Sequence, residues 1–421
     1  MPNPSRRTLV QVVTAALIGT TVEWYDFSIF TASSALVFRT AFFPQFTPNL
    51  GILLAFLTYA VGFLARPFGA VLFGHLGVRI GRKPVLVLTF LVMGLSTVLM
   101  GLLPTYAMIG AGAPLLLVTL RFIQGVALGG EFGGAALLTS ETAPPGRRGL
   151  FASSAMVGLS AGILLGSAVF AAFATLPHDA FLNWGWRIPF LLSLLLILLG
   201  LWIRARVAET PDFLGDQRRA RTATPLLEVM RRCPAHLALV FGARVGETMQ
   251  FNITSVFALH YATQHLRISP SVFLGTITIA NLVSLVLIPT FGGLSDKVGR
   301  RPIAILGGIS ALAGGLAFFP MLATGSDLIA STAVVMMIGL SAGLNNAVPA
   351  SWFPELFPVS CRYTGISVAY QLGTVAGGLT PAISTVLFSR FGVNAVAIYL
   401  AAAGALITLC VSVLPETASH R

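Results

Sequence analysis

"GGLSDKVGRRP" (residues 292–302) repeats an earlier stretch of the chain, "GHLGVRIGRKP" (residues 74–84). Both copies begin with glycine and three further residues. An acidic position and a basic residue follow, and after one more residue each copy ends in Gly-Arg-basic-Pro. Val78, however, stands where the second copy has Asp296. Each copy connects two long apolar segments. A connector that recurs in the same setting indicates two similar halves, so this element determines the fold that the sequence predicts.

The composition is typical of a membrane protein. Of the 421 residues, 56% are hydrophobic and 10% are charged, whereas soluble domains have about 25% charged residues. The formal net charge of +12 does not indicate nucleic-acid binding, because the basic residues lie in short connectors and no nucleic-acid motif is present. The three cysteines are far apart and show neither metal-ligand spacing nor a disulfide framework.

Twelve apolar segments are long enough to cross a bilayer as helices, which takes about 20 residues each. Arg6 and Arg7 precede the first segment, which contains Glu23 and Asp26 and lacks a clear cleavage site, so we expect a retained helix rather than a signal peptide. The predicted fold class is an all-α polytopic membrane protein with approximate spans at residues 10–37, 50–74, 84–107, 114–139, 149–174, 187–206, 236–262, 270–292, 302–324, 328–352, 363–388 and 393–414.

Two further pairs of landmarks support two pseudo-symmetric six-helix bundles. "SETAPPGRRG" (140–149) and "PELFPVSCRYTG" (354–365) follow the fourth span of each half, and "AETPDF" (208–213) and "PETASH" (415–420) follow the sixth. Lys and Arg are concentrated in the connectors of one side, which predicts that this side and both termini are cytoplasmic. The expected parts are an N-terminal bundle (1–206), a cytoplasmic linker (207–235) and a C-terminal bundle (236–421).

Four segments carry a resemblance to a known family: "EWYDF" (23–27), "RPFGAVLFGHLG" (66–77), "RFIQGVALGGEFGG" (121–134) and "WGWRIPF" (184–190). With the repeated connector, the chain resembles the major facilitator superfamily along its whole length, and within it the metabolite:proton symporter family. Those relatives carry dicarboxylates, citrate, shikimate, or proline and betaine. The resemblance implies alternating access in a monomeric, multi-pass protein of a bacterial inner membrane.

Ionisable residues within the spans are costly to bury and are therefore candidates for function. The helical rise of 1.5 Å per residue places Asp26 and Arg121 at one depth, and Arg66 and Glu131 at another. Depth alone does not establish contact. The resemblance supports the first pair, since sugar-porter relatives pair an aspartate of helix 1 with an arginine of helix 4.

A proton-coupling role follows from the charges. A carboxylate that separates from an arginine takes up a proton more readily, so Asp26, Glu23 and Glu131 are candidate proton carriers. Arg121 and Arg244 are candidate anchors for a substrate carboxylate, which arginine binds bidentately. The alternative is that these residues form permanent ion pairs between helices, and for Arg66 with Glu131 we favour that structural role.

Polar residues in the second half are candidates for substrate binding. They are Gln250, Asn345, Tyr370 and Gln371. The alternative for each is a hydrogen bond between helices, which is common in membranes. A zwitterion such as proline or betaine remains an alternative substrate to a carboxylate, and drug/proton antiport is a less favoured one.

Other classes of protein lack support in the sequence. No phosphate-binding loop is present, so we expect an ion gradient of protons as the energy source, with no cofactor or metal. No cluster of catalytic residues indicates a membrane-embedded enzyme. The expected partners are a small carboxylate, protons and the lipid bilayer.

The repeated connector is expected to form a cytoplasmic gate, because the superfamily's loop aspartate latches that side near a helix N-terminus, where negative charge is favoured. Val78 cannot supply this charge, which predicts either a weakened gate or a tolerated variant. The predicted gate residues are Gly74, Val78, Arg79, Gly81, Arg82, Asp296, Gly299 and Arg300, with Glu141, Arg148, Glu355 and Arg362 as charged partners.

Overall fold

The computed structural model describes residues 6–69, 72–73, 76, 82–129, 143–144, 146–206, 225–358 and 362–418. Six predicted site residues lie outside this part of the chain: Gly74, Val78, Arg79, Gly81, Glu131 and Glu141. Residues 207–224 of the predicted linker also lie outside it, and a short helix, Pro225–Arg232, precedes the second half.

Twelve long helical segments make up most of the described chain. Lipid offers no partners for the backbone, so each spanning segment satisfies its own N–H and C=O groups as a helix. The segments are α1 (Arg6–Leu36), α2 (Pro48–Gly69), α3 (Arg82–Leu102), α4 (Gly112–Gly129), α5 (Arg148–Phe173), α6 (Arg187–Arg206), α7 (residues 234–264), α8 (Pro270–Val298), α9 (Arg300–Leu322), α10 (Asp327–Glu355), α11 (Thr364–Phe391) and α12 (Val393–Val413).

Eight of these helices are by themselves long and apolar enough to cross a membrane: α2, α4, α5 and α8 to α12. A ninth candidate is α6, which continues a short helix at a bend of 40°. With α1, α3 and α7, the segments follow the order that the sequence predicts. The predicted all-α polytopic fold is therefore confirmed.

Small residues bring the helices into close contact. Gly158, Gly162 and Gly166 recur every fourth residue of α5 and face α1. A Cβ atom at any of them would lie 2.4 to 2.7 Å from an atom of α1. This close backbone approach is the usual basis of helix packing in membranes, where apolar contact alone gives little preference.

The first six helices meet the last six mainly through α5 and α8. Near one end of this contact, the hydroxyl groups of Ser167 and Thr278 are 3.0 Å apart. Near the other end, a Cβ atom on Gly149 would lie 2.2 Å from the carbonyl oxygen of Gly292. The two helices are therefore in contact along most of their length.

Two π-helical turns interrupt the helices that border the centre of the molecule. They are Asn252–Phe257 in α7 and Val335–Ser341 in α10. The side chain of Gln250, just before the first turn, donates hydrogen bonds to the second turn. Its Nε2 atom lies 3.3 Å from the carbonyl oxygen of Met337 and 2.9 Å from Oγ of Ser341. Such turns are frequent at functional sites.

Candidate functional site

A central cavity lies between the first six and the last six helices. Four aromatic residues form its apolar wall: Trp24, Phe27, Phe63 and Phe251. The opposite wall is polar and comes from the second half of the chain: Arg244, Glu247, Gln250, Asn345, Asn346 and Thr374. A compound with an apolar face and several polar groups would match these two walls.

Arg244 is the positively charged group of the cavity wall. Its Nη1 atom lies 3.0 Å from Oε2 of Glu247, one turn along α7. Its Nε atom donates to Oγ1 of Thr374 at 3.2 Å. The guanidinium carbon lies 3.8 Å from the centroid of the Tyr370 ring. The predicted residues Arg244 and Tyr370 are therefore brought together at the cavity.

The predicted residues Gln250 and Asn345 are also brought together. Asn345 Nδ2 donates to Gln250 Oε1 at 2.9 Å, and both side chains are at least 95% buried. Gln371, in contrast, is buried on α11 and is not part of the cavity wall. A paired amide can exchange its protein partner for a substrate hydroxyl without a net loss of hydrogen bonds.

Asp26 and Arg121 are connected, but not by the direct ion pair that equal depth predicts. Thr97 Oγ1 donates to Asp26 Oδ2 at 2.7 Å, Gln124 Nε2 donates to Thr97 Oγ1 at 2.8 Å, and Arg121 Nη1 donates to Gln124 Oε1 at 2.5 Å. All four side chains are at least 99% buried. We call this series the α1–α4 relay. It places a hydroxyl and an amide between the two charges.

Arg121 is enclosed by aromatic rings and is not part of the cavity wall. Its guanidinium carbon lies 3.9 Å from the ring centroid of Phe30 and 5.5 Å from those of Phe27 and Tyr59. Gly62 leaves room for it, since a Cβ atom there would lie 2.4 Å from Arg121 Nε. In this conformation Arg121 therefore interacts with the relay and does not contact the cavity where a substrate would bind.

Arg66 is paired with Glu23, while Glu131, the partner that equal depth predicts, lies outside the described residues, so that pair stays a prediction. Arg66 Nη2 lies 4.0 Å from Glu23 Oε1, and both residues are buried. The guanidinium also lies 5.1 Å from the Phe63 ring centroid. Depth alone does not identify Glu23 as a neighbour of Arg66, because it ignores the direction in which each side chain leaves its helix.

At one end of the molecule, Asp296 joins the last six helices to the first six. Its Oδ1 atom accepts a hydrogen bond from Gly149 N at 2.8 Å, and Oδ2 accepts one from Leu150 N at 3.1 Å. These are free N–H groups of the first turn of α5, where a carboxylate is favoured. The second copy of the repeated connector therefore holds α5 against α8.

Within the second half, Arg300 supports this contact. Its Nη1 atom lies 2.8 Å from Asp296 Oδ1, and Nη2 lies 3.5 Å from Glu355 Oε1. Gly299 allows the tight connection between α8 and α9 because its φ of 105° is unfavourable for other residues. Arg300 thus links Asp296 to Glu355, and all three are predicted gate residues.

The remaining predicted gate residues have separate positions. Arg148 begins α5 with an exposed side chain, and Arg82 begins α3. Arg362 donates from Nε to the carbonyl oxygen of Phe357 at 3.3 Å.

Glu416 is an important residue of this end that the sequence interpretation did not include. Its carboxylate accepts hydrogen bonds from the backbone N–H groups of Arg300 and Arg301 at 2.9 Å, and so caps α9. Burial by itself would raise the pKa of the Glu416 carboxyl group. Hydrogen bonds from the N–H groups of Ala418, Arg300, Arg301 and Thr417 outweigh that effect, so the pKa lies below its usual value.

The relay residues Thr97 and Gln124 were also missed. The signal in the sequence was weak, because each is an uncharged polar residue with no feature that separates it from the other polar residues of its span. For Glu416 the signal was the repeated "PET"-type landmark after the sixth span, which was used for symmetry only.

Comparisons with known proteins identify the class. The Sugar (and other) transporter family profile matches residues 12–239, and the Major Facilitator Superfamily profile matches residues 239–421. A D-xylose-proton symporter of known structure has the same fold, with a TM-score of 0.74, 20% identity and coverage of 96% of each chain. The fold and the cavity between its halves are those of a membrane transporter, not of an enzyme.

Curated relatives narrow the family. The Shikimate transporter of Escherichia coli (strain K12) is 40% identical over 94% of this chain and 92% of its own. The Proline/betaine transporter of Salmonella typhimurium is 33% identical, with coverage of 89% and 77%. The chain belongs to the metabolite:proton symporter family of the major facilitator superfamily. It is a multi-pass membrane protein whose homologues couple transport to protons.

Proposed function

We propose that this protein imports a small organic carboxylate together with protons, by alternating access of the central cavity to the two sides of a bacterial inner membrane. The observation that carries the proposal is Arg244, a buried guanidinium on the cavity wall that Tyr370 and Thr374 hold in place. A fixed guanidinium presents its fork of donors to a carboxylate with little loss of entropy.

The aromatic wall and the amide pair of the cavity indicate the chemical groups that the substrate carries besides its carboxylate. The aromatic side accepts an apolar ring face, and the Gln250–Asn345 amide pair offers partners for hydroxyl groups. The 40% identical relative is named as a shikimate transporter. A hydroxylated cyclic carboxylate therefore agrees best with both the cavity and the relative.

Proton coupling is assigned to the carboxylates of α1. Asp26 is buried beside the relay to Arg121, and Glu23 lies beside Arg66. Protonation of Asp26 removes the negative charge that strengthens its hydrogen bond from the Thr97 hydroxyl, so a bound proton weakens the relay. That weakening would connect the proton to the helices that enclose the cavity.

The gate at Asp296 is assigned to the cytoplasmic side, in agreement with the distribution of Lys and Arg. Both termini then lie in the cytoplasm. The two sets of six helices act as the moving halves, with the proton gradient as the energy source and no bound cofactor. A single chain contains the whole cavity, so the functional unit is a monomer.

A zwitterionic osmolyte is the second candidate substrate. Glu247 beside Arg244, and the aromatic rings opposite, would bind a cationic group and a carboxylate together. Relatives named as proline/betaine transporters agree with this alternative.

The test is uptake of labelled shikimate into proteoliposomes under an imposed pH gradient. Arg244→Ala should abolish uptake, whereas Arg390→Ala, which removes an exposed arginine at the far end of α11, should not. Absence of gradient-driven uptake of any carboxylate by the unchanged protein would reject the proposal. Uptake of glycine betaine alone would establish the alternative.

A further inference from the structure

In the ion pair on the cavity wall, the arginine has more supporting contacts than the glutamate. Arg244 and Glu247 lie one turn apart on α7, 3.0 Å from each other, and their side chains are 6% and 7% exposed. Both line the cavity. A substrate carboxylate that binds Arg244 must therefore compete with the carboxylate of Glu247.

Arg244 is fixed by several contacts. Thr374 accepts from its Nε atom, and the Tyr370 ring covers the guanidinium plane. Gly373 packs so closely that a Cβ atom there would lie 2.8 Å from Cβ of Arg244. The arginine therefore stays in place when a ligand arrives.

Glu247 has much less support. Among the described residues, its side chain has Arg244 as its only hydrogen-bond or ion-pair partner. A carboxylate with one partner moves away when that partner is taken. Left without the guanidinium in a buried site, an ionised carboxylate is strongly disfavoured against its protonated form.

We propose that Glu247 is a proton-binding site that the substrate itself controls: a substrate carboxylate displaces Glu247 from Arg244, and the displaced carboxylate takes up one proton. This inference rests on the proposed function. The proton comes from water on the side to which the cavity is open. The charge of the site is conserved, because one anion and one proton enter together.

The surroundings of Glu247 support a response governed by Arg244. Within the described part of the chain, the other ionisable groups in electrostatic reach of the pair are Tyr370 on α11, Glu23 on α1 and Arg66 on α2. Glu23 and Arg66 are paired with each other, so their charges largely cancel. The residues of α10 at the cavity, Ala342, Asn345 and Asn346, are uncharged, and α12 places Cys410 against α7 at Gly242.

The mechanism separates the two substrate classes. A carboxylate leaves Glu247 without a partner, so binding takes up a proton, and the dissociation constant rises by about tenfold per pH unit where Glu247 is otherwise ionised. A zwitterion brings its own cationic group to Glu247, which then stays ionised. Its binding takes up no proton at this site.

The experiment is titration calorimetry of the purified protein with shikimate, in buffers of different ionisation enthalpy, which counts the protons bound per ligand. Glu247→Gln should take up one proton fewer than the unchanged protein and should bind shikimate at least as tightly. Asp179→Asn, which neutralises an exposed acid far from the cavity, should match the unchanged protein. An equal proton count in Glu247→Gln and the unchanged protein would overturn the inference.

A second measurement does not depend on the folding of a variant. The infrared difference spectrum of the unchanged protein with and without shikimate should show a new protonated-carboxyl band. Absence of that band would also overturn the inference. Failure of the proposed function looks different, because the unchanged protein would then bind no carboxylate, or would bind glycine betaine instead, with Glu247→Gln weakening that binding.

Discussion

The Asp296 contact leads to a quantitative prediction about how the transporter opens. Asp296→Asn removes the negative charge that α5 receives from the second half, and it leaves a single amide oxygen for the N–H groups of Gly149 and Leu150. The ion pair with Arg300 lies within the second half. It should persist when the halves separate, so it does not enter the difference between closed and open states.

The magnitude follows from the two hydrogen bonds across the halves. A carboxylate at a helix N-terminus contributes about 0.3–1 kcal/mol, and up to about 2 where it is partly buried. Replacing the charge-assisted hydrogen bonds by one neutral hydrogen bond lowers the stability of the contact by a similar free energy. We therefore expect a loss of about 1–2 kcal/mol of closing free energy, which is a roughly 5- to 30-fold shift towards the open state.

Cysteine accessibility measures this shift directly. Ser153 is fully buried where α5 meets α8, so a Ser153→Cys reporter, in a chain whose native cysteines are replaced by serine, reacts with a polar maleimide only after opening. Asp296→Asn should raise the labelling rate by the factor above. Asp327→Asn is the matched control, since Asp327 lies in the first turn of α10 and is exposed.

Two outcomes would contradict the reasoning. Equal labelling rates in the reporter chain with and without Asp296→Asn would mean that the carboxylate does not hold the halves together. An equal increase in the Asp327→Asn control would indicate a general loss of stability instead. Val78→Asp, which restores the charge to the first connector, is expected to slow the labelling.

Three further changes test other contacts. Thr97→Val breaks the α1–α4 relay and should slow proton-driven uptake at least about tenfold, with little effect on counterflow exchange, whereas Thr97→Ser should retain uptake. Gly62→Ala places a Cβ atom 2.4 Å from Arg121 and should lower the free energy of unfolding by about 1–3 kcal/mol, so the melting temperature falls. Gly275→Ala is the control, because its Cβ atom meets no atom within 4 Å, and it should leave the melting temperature unchanged. Glu416→Gln should lower the melting temperature at neutral pH. The pKa of this carboxyl group is lowered in the folded protein, so the difference in melting temperature between the variant and the unchanged protein should shrink as the pH falls below about 4.3, the pKa in the unfolded chain. A difference that stays constant with pH would show that Glu416 does not cap α9.

The sequence by itself determined the all-α membrane fold and the order of its spans, and it supplied the list of candidate site residues. Lipid imposes a local rule on each span, so the length of an apolar run is enough to predict a helix. The cost of burying charge identified Asp26, Arg121 and Arg244 in the same local way. The repeated connector likewise identified Asp296 without knowledge of its partner.

Only the tertiary structure decided which of these residues meet. The rise of a helix gives the depth of a residue, but contact also depends on the rotation and position of every neighbouring helix, which the packing of all the spans sets together. Arg66 is therefore beside Glu23, and Thr97 and Gln124 lie between Asp26 and Arg121. For the same reason, the unequal support of Arg244 and Glu247 could not be read from their spacing on α7.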